Sequence, residues 1–286
     1  LIRCFGIDDQ IYKLNYYANN VDFILENNYR SVSTKLKLIN FNTPNNSDAS
    51  VYQYSSSLNP NSRTFISASK DFTTNTSVEA GLPFSVEANV IFPIRVDESR
   101  YNTLAEGASS RTHNYPLIAT SSLFGMHTAR DSDPADTTWD SNDYANFVVK
   151  AIKAKTYSNK AKFVLTGTLG GFIPELTSSY VDDVYDDSNW SFLVSLYPKA
   201  FPNATEVDGT LTSDYVVQFT GIQKVLEQTI NEFTVTGSIT ADEATKFLAS
   251  PKRTFVGAHR TNFTGAIRQQ SDIKVNNFRV WQNKLT

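Results

Sequence analysis

Apolar and polar residues alternate in short runs along most of this chain, which is the period of a strand with one buried face. The cleanest run is "LPFSVEANVIFPI", where Phe84, Val86, Ala88, Val90 and Phe92 recur at every second position without error. A second closes the sequence: in "SDIKVNNFRVW", Ile273 and Val275, then Phe278 and Val280, alternate with polar residues across a one-residue slip at Asn276-Asn277. Such a slip predicts a β-bulge. "YPLIATSSLFGMH", "WSFLVSLYP", "DYVVQFTGIQKV" and "EFTVTGSI" read as further strands, and "ANFVVKAIKAKTY" with "AKFVLTGTL" reads as a hairpin across Ser158–Lys160. Ile222, Val225, Leu226 and Ile230 fall at helical spacing, but their β-rich surroundings favour a hairpin. One helix is expected over 241–249, where Thr240 and Glu243 make a capping box and Pro251 stops the run.

Many short strands, no repeat period and one small helix predict an all-β chain folded as a two-sheet antiparallel jelly-roll sandwich. The final strand is expected to pair near the strands of residues 63–92. Residues 1–62 are less regular: Ile11–Tyr17, Val21–Leu25 and Ser31–Phe41 are short candidate strands followed by the Asn/Ser/Pro-rich loop "NTPNNSDAS". They form an N-terminal β-rich segment of their own or of a neighbouring domain, with the sandwich expected over 63–286. Residues 97–114, 130–143 and 174–189 are long polar loops.

Composition narrows the chemistry. A formal charge of −3 supplies no basic footprint for nucleic acid. No apolar run approaches membrane-spanning length. Cys4 is the sole cysteine, so neither an intrachain disulfide nor a cysteine zinc site is available. The opening "LIRCFGIDDQIYKL" has neither an initiating Met nor a basic-then-apolar leader pattern, as expected of a processed chain or a piece of a longer one. Asn-x-Ser/Thr matches at Asn45, Asn75, Asn189, Asn203 and Asn262 follow from an Asn/Ser/Thr-rich composition.

From about Arg63 the order of features resembles the concanavalin A-like lectin/glucanase superfamily in its laminin-G-like form. The residues that carry the likeness are Phe84–Phe92, "NWSFLVSLYP", the hairpin region Tyr215–Thr236, "TFVGAHRTNFTGAI" and the closing "SDIKVNNFRVWQNKL". The last two segments also resemble modules of structural proteins in tailed-bacteriophage particles. Glucanases of the superfamily carry an acidic pair on one strand, and this sequence has no Glu-apolar-Asp-x-x-Glu run. The resemblance therefore implies a non-catalytic structural or interaction module of a larger virion protein. Its partners would be other virion proteins, copies of itself or host-surface glycans, and its location the particle surface. Two alternatives remain open: a glycan-cleaving hydrolase with a displaced acid pair, and a purely structural packing module without a ligand.

Candidate site residues are few. Asp182, Asp183, Asp186 and Asp187 form an acidic loop that is most simply solvated, and Asp183 and Asp187 are the candidates in it for calcium. Asp131, Asp133 and Asp136 loosely resemble the start of a calcium loop but lack the Gly and Glu of an EF-hand. Trp139, inside a polar loop, is the candidate platform for stacking on a sugar, whereas Trp190 and Trp281 are expected in the core. His113, His127 and His259 are scattered, and His259 beside Gly257 is expected to hold a turn. No Gly-x-Ser-x-Gly motif or Cys–His pair suggests a nucleophile.

Overall fold

A computed structural model of the chain describes residues 37–43, 45–52, 83–94, 118–128, 147–167, 173–201, 206–207, 210–211, 214–225, 228–249, 252–260 and 266–285. The chain divides into two compact units, Leu1–Leu36 and Lys37–Thr286, and every described residue belongs to the second. Two six-stranded antiparallel sheets make up the second unit. The first sheet runs in the order β1 (Ile39–Asn40), β16 (Lys274–Trp281), β3 (Phe84–Ile91), β8 (Asn189–Pro198), β11 (Tyr215–Val225), β12 (Gln228–Ile239). The second runs β2 (Ser50–Tyr52), β13 (Lys252–Gly257), β4 (Thr120–Thr128), β5 (Phe147–Lys153), β6 (Ala161–Gly167), β7 (Leu176–Thr177). Two minor pairs, β9 (Glu206–Val207) with β10 (Thr210–Leu211) and β14 (His259–Arg260) with β15 (Ile267–Gln269), complete the described strands. β1 and β2, from the stretch that the sequence pattern assigned to the N-terminal segment, pair with β16 and β13.

Alternation builds the core. Along β3 and β8, Phe84, Val86, Ala88 and Val90 face the same side as Trp190, Phe192, Val194 and Leu196, and all are buried. From the second sheet, Phe124, Phe147, Val149, Phe163 and Leu165 join the same apolar cluster. Aromatic rings meet across the gap: Phe163 lies 4.7 Å from Trp190 and 4.8 Å from Phe192. Burying each such ring contributes about 1.5–3 kcal/mol from area alone. Glycine is required at Gly125, where a Cβ would stand 2.2 Å from the Phe147 carbonyl oxygen and 2.5 Å from the Phe255 ring. It is required again at Gly257, whose φ of 92° is one that side-chain-bearing residues rarely adopt.

The helix forms where the capping box predicted it. Helix α1 covers Ala241–Ala249, the Glu243 amide donates to Thr240 Oγ1, and the Thr240 amide donates to Glu243 Oε2 at 2.8 Å. Its buried Ala244, Phe247 and Leu248 lie at helical spacing, and Phe247 meets Phe84 of one sheet and Phe147 of the other. The helix thus closes the core between the sheets. No helix among the described residues is long and apolar enough to cross a membrane.

The closing strand behaves as its pattern implies. β16 pairs with β3, and the register shifts between Asn276 and Phe278, with Asn277 at a φ of 54°. The extra residue lets Val275, Phe278 and Val280 all face the core. That same parity corrects one expectation: Trp281 stands on the outward face and is 40% exposed, because Phe278 and Val280 have taken the inward positions. Trp190 is fully buried, as expected.

Candidate functional site

The outward face of the first sheet is the candidate site. Its strands bury one side and turn the alternate positions outward, where hydroxyls and amides on β8, β11 and β12 stand among the apolar Leu193, Val216 and Ile222 and the charged Glu87, Glu232 and Arg279. Across β8, β11 and β12 they join: the Tyr197 hydroxyl donates to Gln218 Oε1 at 2.9 Å, Gln218 Nε2 donates to Thr220 Oγ1 at 3.2 Å, and the Thr220 and Thr234 hydroxyls lie 3.1 Å apart. Gln218 and Thr220 are half-buried, Thr234 is exposed, and Thr236 and Ser238 continue the exposed hydroxyl row on β12.

Toward β3 and β16 the face changes character. Ser85 and Ser195 share a hydrogen bond at 2.9 Å and are both fully buried. The reason is the segment after β16. Ser85 Oγ donates to the Asn283 carbonyl at 2.7 Å, the Leu285 amide donates back to Ser85 Oγ, and Lys284 Nζ sits 4.0 Å above the Tyr197 ring. Exposed Trp281 is in register with Ser85. Two register pairs on, Arg279 Nη1 contacts Glu87 Oε1 at 2.8 Å. The Tyr197 phenol thus borders the neutral row, while the Trp281 indole stands two strands away on the same face, beyond β3 and the segment that covers Ser85.

Such a surface suits recognition of a polyhydroxylated ligand, because each Ser, Thr, Gln or Tyr group both donates and accepts. Among the described residues this face does not bring two carboxylates to the separation that glycoside hydrolysis uses. Glu87 and Glu232 lie on strands three apart in the sheet. At about 4.8 Å per strand they are separated by roughly 14 Å, whereas the reaction needs carboxyl groups about 5–9.5 Å apart.

No protein-family model matches the chain, and no curated protein sequence does. Among solved structures, an alginate lyase from Klebsiella pneumoniae is similar with a TM-score of 0.36 and 9% identity, covering 77% of this chain and 67% of its own. The lectin UEA-II complexed with galactose gives 0.37 and 8% identity, covering 85% of this chain and 97% of its own. An alginate lyase of Pseudomonas aeruginosa gives 0.32 and 7%, covering 73% and 70%. The two-sheet architecture stands on the strand pairing above, and the chemistry of those proteins belongs to their own chains.

The residues singled out from sequence do not converge on the outward face. Asp183 and Asp187 both adopt left-handed backbone, with φ of 55° and 54°, in the turn between Val181 and Ser188. Their neighbours are cations and amides: Asn159 Nδ2 donates to Asp183, Lys160 Nζ is 3.0 Å from Asp182, and Lys274 Nζ is 3.7 Å from Asp187. Among the described residues, no three His, Cys, Asp or Glu side chains gather as a cation site. Trp139, His113, Asp131, Asp133 and Asp136 lie outside the described residues, as do the loops 97–114 and 130–143. His259 is buried with its ring stacked 5.2 Å from Phe255, and Arg260 Nη1 donates to the Asp48 carbonyl, so this corner is held by stacking and by the arginine.

One polar cluster of another kind sits inside the sandwich. Lys153 Nζ lies 3.1 Å from Asp272 Oδ2 with side-chain exposures of 8% and 3%, and stands 3.9 Å above the Tyr185 ring. The Tyr185 hydroxyl donates to Asp272 Oδ1, and the Asp272 amide donates to Ser121 Oγ. Burial, reinforced by the Asp272 charge, holds the Tyr185 hydroxyl protonated well above the usual phenol range. Nearer the surface, burial pushes the Tyr52 hydroxyl up to about 12, against the opposing pull of Arg260.

Sequence reasoning missed the residues that define the site. Tyr197, Gln218, Thr220 and Thr234 are the polar halves of strands whose apolar halves identified them. The signal was their chemistry: hydroxyl and amide groups where exposed strand positions commonly carry Lys or Glu.

Proposed function

We propose that this chain is a non-catalytic interaction module that binds glycans on the outward face of its first sheet. The hydrogen-bonded row Tyr197–Gln218–Thr220–Thr234 carries the proposal, and the exposed Trp281 indole lies two strands from Tyr197 on the same face. Sugar hydroxyls exchange hydrogen bonds with such groups, and an indole face stacks on the apolar side of a pyranose ring. In keeping with the sequence resemblance, the module belongs to a larger virion protein on a tailed-phage particle, where other virion proteins or copies of itself surround it.

The test is a glycan screen that includes alginate and galactosides, run with and without calcium. Binding of at least one glycan is expected, weakened about tenfold by Gln218→Ala and by Trp281→Ala with the fold intact, the size of one or two lost contacts. Absence of binding to every glycan, or binding that both variants leave untouched, overturns the reading. Release of shortened saccharides by the purified chain overturns its non-catalytic part. Mass spectrometry of purified phage particles tests the setting, which fails if the chain is found only outside them.

A further inference from the structure

Strand register sets Trp281, Ser85, Ser195, Gln218 and Thr236 on one line across β16, β3, β8, β11 and β12, on the outward face. The line is open at its ends and closed in its middle. Trp281 and Thr236 are exposed and Gln218 is half-buried, whereas Ser85 and Ser195 are fully buried. Residues 283–285 lie over this middle part. The Ser85 hydroxyl gives its single proton to the Asn283 carbonyl, so it accepts from both Ser195 and the Leu285 amide. Lys284 Nζ stands 4.0 Å above the Tyr197 ring. None of the three residues belongs to the apolar core cluster. A strap over apolar surface is held down by the hydrophobic effect, but this one covers hydroxyls and a phenol through polar contacts that a ligand can replace.

We propose that residues 283–285 are an autoinhibitory strap: they occupy the middle of the glycan site, and a ligand of several sugar rings displaces them to reach Ser85 and Ser195. The proposal rests on the glycan reading of this face. The strap's groups stand where those of a sugar would. A sugar hydroxyl both donates and accepts, so it can replace the Asn283 carbonyl and the Leu285 amide on Ser85. The Lys284 ammonium covers a ring face on which a pyranose can stack. Pairing of β16 with β3 ends at Trp281, and Gln282 is an exposed bend, so the strap lifts without breaking the ladder. With it aside, Trp281 and Gln218 bound an unbroken line three strand spacings long, roughly 14 Å. One sugar ring cannot span that line, and a short oligosaccharide can. The strap thereby selects for chain length, since a monosaccharide at Gln218 leaves it in place.

Lys284→Ala with Leu285→Pro removes the ammonium and the amide donor and leaves the sheet unaltered. With Cys4→Ser as background, the thiol introduced by Ser195→Cys should react with a thiol reagent at least tenfold faster when the strap is so changed, with circular dichroism the same. Equal rates overturn the cover. A ligand that must wait for a strap open in about one molecule in ten binds about tenfold more weakly than without it. On the chain with native Ser195, alginate and galactose tetrasaccharides are therefore compared with their monosaccharides. The strap variant should bind at least one tetrasaccharide about tenfold tighter than the unaltered chain does, and its monosaccharide equally. Equal tetrasaccharide binding by the two chains, or an equal gain for the monosaccharide, overturns the strap and leaves the glycan reading standing. Binding by neither chain overturns both. Should the strap variant fail to fold, hydrogen exchange on the unaltered chain decides. Saturating tetrasaccharide must speed exchange of the Leu285 amide, and slower or unchanged exchange overturns the displacement.

Discussion

The Lys153–Asp272–Tyr185 cluster and the Tyr197–Gln218–Thr220–Thr234 row are both linked sets of polar side chains, and they differ chiefly in access to water. The first is sealed inside the sandwich and includes a full ion pair. The second lies on an outward face and is neutral throughout. Inside, the low dielectric makes an unpaired charge expensive, so the cluster acts as a pin between β5 and the segment entering β16. Outside, water competes for every hydrogen bond, so the row adds little to stability and its groups are available to a ligand. Burial assigns one network to the fold and leaves the other within reach of solvent.

Removing one partner from the buried cluster should have the largest effect. Asp272→Ala leaves the Lys153 ammonium without its counterion and should cost about 3–5 kcal/mol in denaturant unfolding. A loss below about 1 kcal/mol would erase the distinction between the two networks.

The next effect is overpacking on the second sheet. Gly125→Ala drives a methyl group against the Phe147 carbonyl and the Phe255 ring, and about 1–3 kcal/mol of destabilisation should appear as a lower melting temperature. An unchanged melting temperature would show that these groups yield freely.

Alkaline pH sharpens the comparison, because burial raises Tyr185 of the inner cluster and the half-buried Tyr52. The folded chain holds Tyr52 protonated up to about 12, against 10.0 when unfolded. Tyr185 is shifted in the same direction by burial and by Asp272. A raised folded pKa stabilises fully below the unfolded value, so this contribution should be complete below pH 10 and fade as pH climbs through about 12. Unfolding followed against pH should show that decline, and Tyr185→Phe should flatten it. A decline of the same steepness in Tyr185→Phe would mean that other groups dominate.

The smallest effects belong to the outward face. Thr220→Val breaks the row between Gln218 and Thr234 and should change stability by less than about 1 kcal/mol. Arg279→Ala removes an exposed pair with Glu87 and should cost about 0–1 kcal/mol. A larger loss in either variant would make the face a structural element.

Much of the architecture was legible in the sequence because alternation is a local property. Phe84–Phe92, the Asn276-Asn277 slip and the Thr240–Glu243 box each encode their geometry within a few residues. Less of the site could be read. Tyr197 and Gln218 are 21 positions apart and meet only because β8 and β11 pair in one register. Lys153 and Asp272, 119 apart, come together from the end of β5 and the segment leading into β16. The outward placement of Trp281 depends on which residues the bulge turned inward.

By itself, then, the sequence determined strand periodicity, the bulge, the helix and its cap, and hence an all-β sandwich, since all of these depend on neighbouring side chains and backbone preference. Only the tertiary structure decided which polar residues became neighbours and which of them lost water. Strand order and register bring distant residues together, and no local pattern records either.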